Sequence, residues 1–104
     1  MSAIVDIAAE RRRQVEVEGW TPEHDDEHSG GEMALAAASY AYAAGLPETW
    51  REDSRKWGST PGMWPWAMSS FKLKDRRRDL VRAAALILAE IERLDRHELR
   101  RAGP

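Results

Sequence analysis

Residues 74–101 read KDRRRDLVRAAALILAEIERLDRHELRR, and this stretch decides the fold. Leu80, Ala83, Ala84, Ile87, Ile91 and Leu94 recur at steps of three and four, and Leu86 and Leu88 widen the stripe. Such spacing lays an apolar face along one long helix. Arg76, Arg77, Arg78, Glu90, Glu92, Arg93 and Arg96 then fall mostly toward solvent. Gly103 and Pro104 stop the helix.

Two further helices are expected upstream. Ser29-Gly30-Gly31-Glu32 has the spacing of a capping box, and it opens a helix running to Ala44. That helix is rich in alanine, so a neighbour can approach closely. Met33, Ala37, Tyr40, Ala41 and Ala44 form its expected buried stripe, and Gly45 and Pro47 end it. Residues 2–17 make the first helix, capped by Ser2, with Asp6 and Glu10 in the early turns and Ile4, Ile7, Ala8 and Val15 along one face. Thr21 and Pro22 open a short turn between the two.

Residues 46–73 are read differently. Leu46–Trp50 starts one or two helical turns, after which Gly58, Pro61, Gly62 and Pro65 break regular structure. Trp50, Trp57, Trp64 and Trp66 all lie here, four of the five tryptophans of the chain. Trp50 and Trp64 are expected to anchor the loop on the core. Trp57 and Trp66 are free to stack on a nucleobase or a partner. No alternating apolar run predicts a strand, and no repeat is present. The expectation is one all-α domain over residues 1–104: a small bundle of three main helices with a Trp-rich irregular loop.

With 104 residues and a net charge of -2, the chain is not a general binder of polyanions, and nucleic acid is not an expected partner. It has no cysteine, which excludes disulfides and thiolate metal sites and suits a reducing cytoplasm. No apolar run reaches membrane-spanning length, and MSAIVDIAAERRR lacks the features of a signal peptide.

Charge is unevenly placed. From Glu23 to Glu32 there are five carboxylates, two histidines and neither lysine nor arginine. Carboxylates suit Mg²⁺ or Mn²⁺, and imidazole adds affinity for later transition metals. His24 and His28 are four residues apart, so one helical face can hold both. Acidic residues near a helix start also simply favour its dipole. Asp75 and Asp79 share a face of the last helix and repel unless compensated, either by the arginines between them or by a cation. Asp79 sits at the edge of the apolar stripe, where an unpaired carboxylate is costly. The candidate metal ligands are therefore His24, Asp26, His28, Glu32, Asp75 and Asp79, with Glu32 and Asp79 as candidate catalytic carboxylates. Arg12, Arg77 and Arg78 are candidate phosphate contacts, although a triplet on a helix spreads around its circumference.

A resemblance extends over both ends of the chain. Residues 7–14, IAAERRRQ, residues 18–28, EGWTPEHDDEH, Gly31-Glu32, residues 75–81, DRRRDLV, and residues 89–96, AEIERLDR, are similar to a family of small uncharacterised proteins of tailed phages and prophages. It implies a phage or prophage origin, with the host cytoplasm as the place of action. Members of that family tend to have an acidic residue after the Trp-Pro-Trp, where this chain has Ala67. The layout also resembles the MazG-like all-α nucleotide pyrophosphohydrolases, which hold Mg²⁺ between acidic motifs on two packed helices. Here residues 28–32 and 75–79 would stand for those motifs.

Two functions follow as expectations. One is a phage accessory protein with a divalent-metal and nucleotide site, a MazG-like hydrolase in which an ion between Glu32, Asp79 and His28 or Asp26 holds the phosphates. The other is a non-catalytic interaction protein that binds a host protein, for example a defence factor, through the acidic run and the tryptophan loop. A homodimer through the alanine-rich face is a further partner option.

Overall fold

The computed structural model describes residues 2–103. Among these there are five α-helices, one 3-10 turn at Met68–Ser70 and no strand. The helices are α1 (Ala3–Glu16), α2 (Pro22–Asp26), α3 (Glu32–Ala44), α4 (Glu48–Trp57) and α5 (Arg76–Ala102). The all-α expectation holds, and α4 is a helix of ten residues rather than one or two turns. No helix among the described residues is long and apolar enough to cross a membrane. Pro104, expected to help stop the last helix, lies outside the described residues.

The caps explain most boundaries. Ser2 accepts a hydrogen bond from the Val5 N–H, Thr21 from the His24 N–H and Asp75 from the Arg78 N–H. The expected capping box at Ser29 is not used. Gly31 takes the N-cap position of α3 without a side-chain bond, at φ 89°. That left-handed geometry is open to glycine at no steric cost.

α5 is the spine, and α1, α2 and α3 all pack along it. Its buried side is Asp79, Val81, Ala83, Ala85, Leu86, Ala89 and Arg93. Leu80, Ile87, Ile91 and Leu94 stay about half exposed, at 49–50%. The predicted stripe is thus turned toward one edge: Ala83 and Leu86 are buried as expected and Ala84 and Leu88 half-buried, while the other members lie at the margin. The reason lies in α3, which buries Met33, Ala36, Ala37, Ser39, Tyr40, Ala43 and Ala44 while leaving Ala41 exposed. Alanine faces alanine where α3 and α5 meet, which permits close approach and leaves no room for the larger stripe.

α1 also differs from expectation. It buries Glu10, Arg11 and Gln14, whereas Ile4 and Ala8 are exposed. Its junction with α5 is ionic: Arg77 pairs with Asp6 at 2.7 Å, Arg78 with Glu10, and Arg11 with Glu92 at 3.3 Å.

The core joins Ala36, Ala37, Tyr40, Ala43, Phe71, Ala83 and Leu86, with Trp20, Trp50, Trp64, Trp66 and Leu73 packed against it. The anchoring expected of Trp50 and Trp64 is what the fold shows, and Trp66 joins them. Trp57 is 79% exposed. Arg51 is fully buried on α4 and ties four segments together. Its guanidinium donates to Ala43 O, to Lys74 O and to Asp79 Oδ2 at 2.8–2.9 Å.

Candidate functional site

Asp79 is fully buried, and its carboxylate is already occupied. Oδ2 accepts from Arg51, and Oδ1 accepts from the Lys74 N–H at 2.9 Å and from Arg82 at 3.4 Å. A carboxylate held by two guanidiniums and a backbone amide is a structural anion, with little left to offer a cation. Asp75 caps α5, and the bond from the Arg78 N–H holds its carboxyl below the usual aspartate range. Asp26 accepts from Arg96 at 3.0 Å and from Arg100 at 2.6 Å. The Arg100 bond first, then that of Arg96, lowers its carboxyl too.

Glu32 stands in the first turn of α3, half-buried, with Oε1 enclosed and without a hydrogen-bond partner among the described residues. It curls over Gly30, where an added Cβ would lie 2.6 Å from that oxygen. Among the described residues, no three His, Cys, Asp or Glu side chains converge as a metal-ligand set. The six candidate ligands are therefore distributed: Asp79 faces Arg51, Asp26 faces the end of α5, and only His24 and His28 meet, with ring centroids 4.4 Å apart. Of the candidate phosphate contacts, Arg12 is exposed, Arg77 is held by Asp6, and Arg78 lines a cleft.

That cleft is one of two concave features of similar size, the other being about 490 Å³ on the far side of Lys72 and Lys74. The first holds about 460 Å³ between α1, the tryptophan loop and the first half of α5. Trp20, Tyr40, Trp64 and Trp66 wall it. Trp64 meets Tyr40 edge-on at 5.3 Å and Trp66 edge-on at 5.3 Å, and its indole N–H donates to Ala67 O at 3.0 Å. Five cations line the cleft against two carboxylates: Arg13, Lys72, Lys74, Arg78 and Arg82 against Glu10 and Glu18. Glu10 and Glu18 engage Arg13, Glu10 also takes Arg78, and Asp79 takes Arg82. Lys72 and Lys74 are exposed and make no ion pair among the described residues.

Burial pushes the Glu10 carboxyl up. Hydrogen bonds from Arg13 and Gln14 and the charge of Arg78 outweigh it, leaving Glu10 below the usual glutamate range and ionised. Tyr40 moves the other way, raised by burial, so its hydroxyl stays protonated and accepts from Arg82 at 2.5 Å. The Arg82 guanidinium also lies 4.1 Å from the centre of the Tyr40 ring. Gln14 Oε1 is buried at the cleft and has no donor among the described residues.

The sequence reading missed Lys72 and Lys74. The signal was available in Phe71-Lys72-Leu73-Lys74. In an extended segment alternate residues face opposite ways, so Phe71 and Leu73 enter the core while both lysines turn outward.

No protein-family model, curated protein or solved structure matches the chain.

Proposed function

We propose that this chain is a phage or prophage accessory protein that binds a phosphate-bearing aromatic ligand, a nucleotide, in the cleft between α1, the tryptophan loop and α5. The observation that carries this reading is two unpaired lysines, Lys72 and Lys74, beside walls of indole and phenol rings. Cations without a carboxylate partner attract phosphate, and aromatic faces take a base by stacking. The orphaned Gln14 Oε1 accepts a hydroxyl or amino hydrogen of the same ligand. In this reading the Mg²⁺ or Mn²⁺ expected from the sequence serves as counter-ion to the bound phosphates.

Titration with ATP, ADP and inorganic phosphate tests it, read by fluorescence of the tryptophans at the wall. ATP quenches, and phosphate alone binds more weakly. Lys72→Glu with Lys74→Glu weakens ATP binding by roughly 10- to 100-fold, because a hydrogen bond to a charged group contributes about 1.5–3 kcal/mol. Both positions are exposed, so the melting curve stays in place. Absence of quenching up to millimolar ATP, or a double variant that binds like the parent, removes this reading.

A second reading rests on the exposed face of α5. Leu80, Ala84, Ile87, Ile91 and Leu94 alternate steps of four and three, the spacing of a coiled-coil seam. The radius of gyration, 14.6 Å, exceeds the roughly 13 Å of a compact chain this long. A second copy of the chain supplies the matching stripe, since a two-fold axis places like against like. Light scattering then gives twice the chain mass, and Ile87→Glu returns the monomer. A monomeric parent at high micromolar concentration rules this reading out.

A further inference from the structure

His24 and His28 face each other beside the cleft, and their surroundings match those of metal-binding imidazoles. His24 Nδ1 lies 3.1 Å from Asp25 Oδ1, and His28 Nδ1 lies 2.9 Å from the backbone carbonyl of His24. Both acceptors are oxygens, so in the neutral rings Nδ1 carries the hydrogen and Nε2 carries the lone pair. Neither Nε2 has a hydrogen-bond partner among the described residues.

Asp25 is itself fixed. It is 1% exposed, and its other oxygen accepts from Arg11 at 2.7 Å. A carboxylate or carbonyl behind the imidazole is the usual support of a ligating histidine, because it sets the tautomer and raises the basicity of the free nitrogen. Packing holds the rings as well. Trp20 stacks on His24 at 6.2 Å with planes 11° apart, and Trp66 meets His28 edge-on at 5.9 Å. Both imidazoles line one open pocket of about 360 Å³, which leaves room for further ligands from water.

We infer that His24 and His28 form a two-imidazole site for a borderline transition-metal cation of the Zn²⁺, Ni²⁺ or Cu²⁺ kind, bound through both Nε2 atoms. Neutral nitrogen donors without a carboxylate in contact select these ions over Mg²⁺ and Ca²⁺, which require oxygen. The site shares Trp20 and Trp66 with the nucleotide cleft, and its test uses the metal alone so that its outcome is separate from that of nucleotide binding.

Calorimetric titration of the protein with Zn²⁺ and with Mg²⁺ is the experiment, together with ¹⁵N spectra of the imidazoles. One equivalent of Zn²⁺ binds, Mg²⁺ does not, and the Nε2 resonances of both His24 and His28 move. Asp25→Asn weakens Zn²⁺ by roughly 10- to 100-fold, the cost of removing a supporting carboxylate. His24→Ala and His28→Ala each weaken it at least as much, whereas the exposed His97→Ala leaves it unchanged. Should a variant fail to fold, the spectra of the parent protein decide alone. No Zn²⁺ binding, shifts confined to His97 or to Nδ1, or equal affinity in the His24→Ala and His28→Ala variants overturns the assignment.

Discussion

Arg51→Met lowers the stability of the protein by about 3–5 kcal/mol, the cost of removing one partner from a buried ion pair. The size follows from what is left behind. Asp79 is 0% exposed and loses its closest cation, keeping only the Lys74 N–H and the longer contact to Arg82. The backbone carbonyls of Ala43 and Lys74 each lose one donor as well, keeping the Leu46 N–H and Arg55 respectively. Arg51→Met combined with Asp79→Leu recovers much of the loss, because neither charge then remains buried without its partner. Urea unfolding of the two single variants and the double variant measures this as a coupling energy. A single-variant loss below about 0.5 kcal/mol, the level of an ordinary surface change, would contradict the role assigned to the pair.

Leu86→Ala has the second largest effect, a loss of about 2–5 kcal/mol, the usual range for truncating a buried leucine. Leu86 is 2% exposed and touches the aromatic and alanine core. Its neighbour Ile87 is 49% exposed, and Ile87→Ala in the isolated chain costs less than about 1 kcal/mol. Denaturant midpoints of the pair of variants therefore report which way α5 faces. Equal losses would mean that the helix is turned as the bare periodicity suggests.

That contrast shows what the sequence could and could not disclose. The capped helices were legible because Ser2, Thr21 and Asp75 carry side-chain signals and the apolar residues repeat at helical spacing. The facing of α5 was not, because period gives the stripe and not its partner. Once α3 presents alanines, the small residues Ala83, Ala85 and Ala89 are drawn inward and the larger ones are left out. α4 was hidden for a related reason. Its sequence ETWREDSRKW has two apolar residues, both tryptophans, and what it buries fully is Arg51 and Ser54, with Trp50 half-buried beside them. Hydrophobic patterning does not register a helix fastened by a buried charge.

The candidate site divides in the same way. The His24–His28 spacing was visible, and the structure joins those rings. The pairing of Asp79 with Arg51 spans 28 residues and left no local trace. The acidic run looked unpaired because its partners, Arg11, Arg96 and Arg100, lie on α1 and α5. Trp66 was flagged for stacking, but the cations beside it were recognisable only from the alternation around Leu73.

The way α4 is fastened bears on how the native state opens. α1 and α3 pack directly on the spine, while α4 is held chiefly by the Arg51 and Arg55 guanidiniums, by Glu48 on Arg76 and by Trp50. Releasing it uncovers Trp50 and part of the core beneath it, so the event carries a smaller heat-capacity change than global unfolding. Warming and cooling therefore shift the balance between partial and complete opening, and the amides of α4 belong to the unit that exchanges with solvent first.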